Sequence, residues 1–275
     1  MDDSSLFLEL YARSGFDRRN AVESLEFLLH YAGGIFVPQE CGVYEPFEPF
    51  DHSALDRYAG WMLNPGGEFG FRRSAPSPSV EGHLLNRTLP EVLYESEVSG
   101  AMRQFKPGQQ PVFRTCWTIR TDPTILTCRG AEFMRNCLHD FCRVAHADYG
   151  FVATGQDYRN KNFLSIRKNN SETQEYVGDD PDRGTPGLYW INFFGAVYVD
   201  HFGREKISAV SQHTPVTWLP EGGVCLRFGN QPEESRSDEM LERQRVAIQT
   251  LGPSSFFDIR QPERTLDVPR SLLGD

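Results

Sequence analysis

The stretch Gly187 to Gly203, GLYWINFFGAVYVDHFG, decides the fold. Its aromatic and β-branched content predicts a buried strand over Gly187 to Phe193, and Gly195 to Phe202 continues as a short helix that Gly203 ends. Downstream, Thr214 to Leu219 and Val224 to Phe228 read as strands joined by Pro220-Glu221-Gly222-Gly223, a hairpin signal because glycine supplies positive φ. Ser237 to Leu251 then has a Ser or Asp cap, early acids, apolar residues at helical spacing and a Gly252-Pro253 stop, which predicts a helix.

Upstream, VFRTCWTIRT places Phe113, Thr115, Trp117 and Ile119 on one face of a half-buried strand. A helix follows over Gly130 to His146, with an apolar stripe of Met134, Cys137, Leu138, Phe141 and Ala145, and YGFVAT is the next strand. Nearer the N-terminus, SLFLELYA reads as a strand and Arg18 to Tyr31 as a helix. IFVP is expected to be a short strand, GVYEPFEPF an extended surface segment, Ser53 to Met62 a helix and EFGFRR a strand. The Ser- and Pro-rich SAPSPSVEG, Ser74 to Gly82, reads as a linker or long loop, and the chain from there to Gly108 is weakly patterned. Hairpins interspersed with helices predict an α+β fold, a mixed or antiparallel sheet with flanking helices. The strand, helix, strand order around the Gly130 helix echoes residues 5–37, so two related αβ units in one body are one expectation. The expected organisation is a single domain over residues 1–275, with a sub-division into 1–108 and 109–275 as the alternative.

A chain of 275 residues can bury a sizeable core without disulfide staples. The longest uncharged stretch, Gly184 to Val199, falls short of a membrane span, and the acidic start MDDSSLFLEL does not resemble a secretory signal. Six cysteines without such a signal imply reduced thiols, and the expected compartment is the cytoplasm. The net charge of −10 opposes binding to nucleic acid or to an anionic membrane. Two acidic stretches contain no Lys or Arg: Asn20 to Asp56, and Asn169 to Asp182. Each reads either as a solvated face or as a docking surface for a basic partner.

The common phosphate, zinc-protease, serine-hydrolase and dithiol signatures are absent, so no catalytic residue and no cofactor is assigned. CLHDFCRVAH gathers Cys137, His139, Cys142 and His146, of which the last three share a helical face with zinc-ligand chemistry. The competing reading puts Cys137 in the apolar stripe and leaves the others among surface charges, and no metal is expected. The loop Gly178 to Gly184 has carboxylates but lacks the terminal Glu of a calcium loop. Asn192 reads as a buried amide that satisfies neighbouring backbone groups.

At GLYWINFFGAVYVDHFGREKI, the LPEGGVCLRFG hairpin and LGPSSFFD, over about residues 187–258, the chain resembles bacterial immunity proteins encoded beside polymorphic or type VI secreted toxins. That resemblance implies an α+β protein, not an enzyme, that neutralises a cognate toxin by tight non-covalent binding. The acidic charge agrees in sign with a basic partner such as a nuclease. The candidate partner-binding residues are Glu40, Glu45, Glu48, Asp179, Asp180 and Asp182. The competing classes are a metal-dependent hydrolase and an adaptor of a secretion system.

Overall fold

The computed structural model describes residues 4–88, 111–168, 171–176, 184–185, 187–261 and 266–269, and of residues 164–168 and 171–176 the backbone alone. The first half runs β1 (Leu6–Ala12), α1 (Arg18–His30), β2 (Glu40–Gly42), β3 (Glu48–Pro49), α2 (Leu55–Leu63), β4 (Glu68–Arg73), β5 (Val80–Asn86) and β6 (Thr115–Thr121). Then follow α3 (Thr124–Arg129), α4 (Ala131–Ala145), β7 (Tyr149–Thr154), α5 (Gly155–Asn162), β8 (Phe163–Lys168) and β9 (Ser171–Tyr176). The chain closes with β10 (Ile191–Phe194), α6 (Ala196–Phe202), α7 (Arg204–Val210), β11 (Val216–Trp218), β12 (Val224–Arg227) and α8 (Asp238–Leu251).

Ten strands form one open antiparallel sheet in the order β11-β12-β10-β7-β1-β6-β5-β4-β2-β3, and β8 pairs with β9 separately. The expected α+β class with flanking helices is what the chain adopts. β1 lies near the centre, and all seven of its residues are buried, because helices cover both faces there. Leu6, Leu8 and Leu10 face a core closed by Leu25 and Leu28 of α1, Tyr58 and Met62 of α2, and Leu138 and Phe141 of α4. Tyr11 faces the second core, built with Tyr149 and Phe151 of β7, Tyr198 and Phe202 of α6, and Ala247 and Leu251 of α8. In β6 Thr115, Trp117 and Ile119 are buried while Thr118 and Arg120 are only partly so, as the half-buried reading expects; Phe113, before β6, is corrected from that face to the second core, which Cys116 also enters.

Local chemistry sets the element ends. Asp17 and Asn20 cap α1 reciprocally, each side chain accepting from the other's backbone N–H at 2.8 and 2.7 Å. Ser237 caps α8 by accepting from Met240 N, with Asp238 and Glu239 in the first turn. Both sheet edges are short, two residues in β3 and three in β11, which limits edge-to-edge pairing. Among the described residues no helix is long and apolar enough to cross a membrane, and all six cysteines are free thiols.

Some local expectations change. IFVP forms a turn, and the strand begins later, at Glu40. Ser74 to Gly82 is the turn of a β4–β5 hairpin together with the start of β5, and the sheet continues through both halves of the chain. Only β10 within the quoted stretch is regular strand; Gly187 to Trp190 approach it as irregular chain. Asn192 holds that approach. Fully buried, it accepts from Tyr189 N at 2.8 Å and donates to Tyr189 O at 2.9 Å, which satisfies both backbone groups of Tyr189.

Candidate functional site

The β2–β3 edge carries three of the six residues expected to meet a partner. Gly42 and Gly70 pair across β2 and β4, and the Phe47 ring lies over both; a Cβ at either position would come within 2.9 Å of that ring. With Phe47 folded back on the sheet, the connecting loop projects Tyr44 outward. Tyr44 is 79% exposed, against 43% for Leu241 and 37% for Trp218, the other exposed large apolar side chains among the described residues. A tyrosine left in water on an ordered strand connection is the kind of anchor that partner surfaces bury.

The carboxylates around it are already engaged. Arg72 donates from Nε to Glu40 at 2.6 Å and from NH1 to Glu45 at 2.8 Å, with its guanidinium 5.4 Å from the centre of the Phe47 ring. Arg57 pairs with Glu48 and lies over the Tyr58 and Trp61 rings. Arg18 reaches Asp56 at 3.0 Å. The stretch that has no base in sequence thus takes its bases from α1, α2 and β4. Three carboxylates at the tip (Glu40, Glu45, Glu48) share two guanidinium groups (Arg72, Arg57), leaving one net negative charge. Glu45 is the most exposed of the three, at 62%. Asp179, Asp180 and Asp182 lie outside the described residues.

The tip continues onto an open part of the sheet. In register across four strands stand Glu40, Arg72, Glu81 and Arg120, a row of alternating charge. One row over, His83 Nδ1 lies 3.6 Å from the Glu68 carboxylate, which raises the histidine pKa against the opposing effect of burial, with Glu81 adding in the same direction. A raised pKa in the folded state adds stability that is complete below the ordinary histidine value and is lost as pH rises through the folded value. Because the His83 side chain is partly open to solvent, at 41% exposure, the effect is expected to stay below about 1 kcal/mol. Denaturant midpoints of wild type and His83→Gln at about pH 5.5 and about pH 8.5 should differ more at the lower pH; an equal difference at both would remove this pair from the pH response.

The Cys/His group is not brought together. Cys137 and Cys142 are both buried in the first core, and burial pushes both thiols up, away from the thiolate that metal binding needs. Cys142 was expected on the polar side. It turns inward because Leu138, Cys142 and Ala145 continue one stripe at i, i+4 and i+7. His139 Nε2 meets Glu221 at 2.8 Å, and His146 ends α4 in the left-handed region with its side chain exposed. Among the described residues no three His, Cys, Asp or Glu side chains gather as a metal site.

Sequence reasoning missed Tyr44 and the charge row. The first had a signal, an aromatic between acids in a proline-rich turn; the second depends on strand register, which one sequence does not display.

No family model matches the chain, and no curated protein matches it. Among solved structures it is similar to the Pseudomonas aeruginosa T6SS protein PA0821, with 10% sequence identity and a TM-score of 0.51 over 95% of this chain and 85% of that one. At that identity the likeness is one of fold.

Proposed function

We propose that this protein is an immunity protein of a type VI secretion system, which neutralises a secreted toxin by stoichiometric non-covalent binding. The observation that carries the reading is Tyr44, exposed on the connection between β2 and β3 that also carries Glu45, with Glu40 and Glu48 on the two strands it joins. An exposed aromatic anchor beside Glu45, on an edge with one carboxylate more than its guanidinium groups, suits a basic partner, in which arginine or lysine displaces Arg72 from Glu45 and a pocket takes the tyrosine. The fold shared with a T6SS protein and the resemblance over residues 187–258 point the same way.

Co-expression with the product of the adjacent gene is the direct test. Restored growth with stable co-purification supports immunity; metal-dependent turnover by the protein alone, with neither rescue nor co-purification, overturns it. Co-purification without any growth effect would favour an adaptor role instead. Within a complex, Tyr44→Ala is expected to weaken affinity by about 2 kcal/mol or more, roughly 30-fold, mostly through faster dissociation. Association should slow several-fold between low and high salt, and Asp179→Lys, Asp180→Lys and Asp182→Lys together should slow it at low salt. A rate insensitive to salt would count against charge steering.

A further inference from the structure

EFGFRR ends β4 with consecutive arginines, which a strand must send to opposite faces. Both nevertheless line one cleft of about 310 Å³, with Ser74 and Ser79 of the following turn; Ser5 and Arg120 and the carboxylates of Glu81 and Asp122 also line it. The three guanidinium groups are in different states. Arg72 is neutralised by Glu40 and Glu45. Arg120 donates to Ser5 Oγ at 3.2 Å and stands 4.0 Å from Glu81. Arg73 donates to the backbone carbonyls of Pro78 at 3.0 Å and Gly34 at 3.5 Å, and no carboxylate lies within ion-pair range of it among the described residues. Its Nε is buried without an acceptor there.

Carbonyl oxygens orient a guanidinium but leave its charge in place, and burial penalises that charge, pressing the Arg73 pKa down. Asp122, on the same wall, is occupied by hydrogen bonds from Ser79 and Thr124. We propose that this cleft binds a small oxyanion, a phosphate or carboxylate group, with Arg73 supplying the uncompensated charge and Arg120 a second charged donor. The cleft opens at the strand ends, and the inference does not depend on toxin binding.

The test is calorimetric titration of the full chain, at constant ionic strength, with sodium phosphate and separately with sodium glutarate. Saturable one-to-one binding with Kd of about 1 mM or tighter is expected for at least one probe, with a melting temperature that rises with its concentration. Phosphate alone binding identifies a phosphate-bearing ligand, and glutarate alone a carboxylate-bearing one; both binding means the site reads the shared charge. Arg73→Gln should weaken binding by about tenfold or more, Arg120→Gln by about threefold, and Arg18→Gln, on a distant exposed pair, not at all. Absence of saturable binding by both probes overturns the proposal, as does binding that survives both cleft substitutions. If Arg73→Gln does not fold, unchanged affinity in Arg120→Gln is decisive against it.

Discussion

Phe141→Ala is expected to lower folding stability by about 3–5 kcal/mol, a large share of what a domain has. Phe141 is fully buried, and its ring lies 5.0 Å from Tyr31, 5.4 Å from Phe36, 5.5 Å from Phe27 and 5.8 Å from Trp117. Those four partners come from α1, the turn after it and β6, so one side chain locks α4 against the sheet and against α1. Removing it takes away apolar transfer energy and leaves a cavity that four aromatic rings on separate elements cannot close together. Phe141→Leu, which keeps much of the volume, should lose about 1.5 kcal/mol or less. Denaturant midpoints would report both, with an unchanged slope showing that the folded state remains compact. A loss under about 1 kcal/mol for the alanine variant would mean that the first core relaxes around the gap.

Lys161→Met should produce a comparable loss, about 3–5 kcal/mol, by a different route. The Lys161 ammonium sits 2.8 Å from the buried Asp157 carboxylate, donates to Leu188 O and to Gln244 Oε1 at 3.1 Å, and lies 4.8 Å from the centre of the Tyr189 ring. It joins α5, α8 and the irregular approach to β10. Among the described residues Asp157 Oδ2 has no hydrogen-bond partner, so the neighbouring ammonium is what keeps that charge tolerable. Without Lys161 a buried carboxylate stands alone. The double variant Lys161→Met with Asp157→Leu removes both charges and should recover most of the loss. A double variant as unstable as the single one would show that Lys161 acts through its contacts to Leu188 and Gln244 rather than by pairing charge.

Much of the fold was legible where local and global demands coincide. The Pro220 to Gly223 turn, the Ser237 cap and the apolar stripe of α4 are each set by a few neighbouring residues, and each stands where the pattern placed it. β5 was not legible. VEGHLLN alternates, but Gly82 interrupts the inward set of Val80 and Leu84, and that glycine is needed because a Cβ would meet the Phe71 ring at 2.6 Å and Thr118 O at 2.7 Å. A distant packing constraint therefore weakened the local signal. Polar α5 escaped for the related reason that its periodicity is slight and its place is fixed by Asp157 and Lys161.

The candidate site divides in the same way. The sequence by itself determined that Glu40, Glu45 and Glu48 stand close together in a proline-rich turn, because residues near in sequence stay near in space. It also determined the excess of acid over base. Only the tertiary structure decided what charge those acids present. Arg57 and Arg72 are brought to them by helix packing and strand register, so an apparent block of carboxylates becomes a nearly neutral rim around Tyr44. Composition sets how much charge a chain carries, but a salt bridge needs atoms within a few ångströms, and that distance is fixed by the fold.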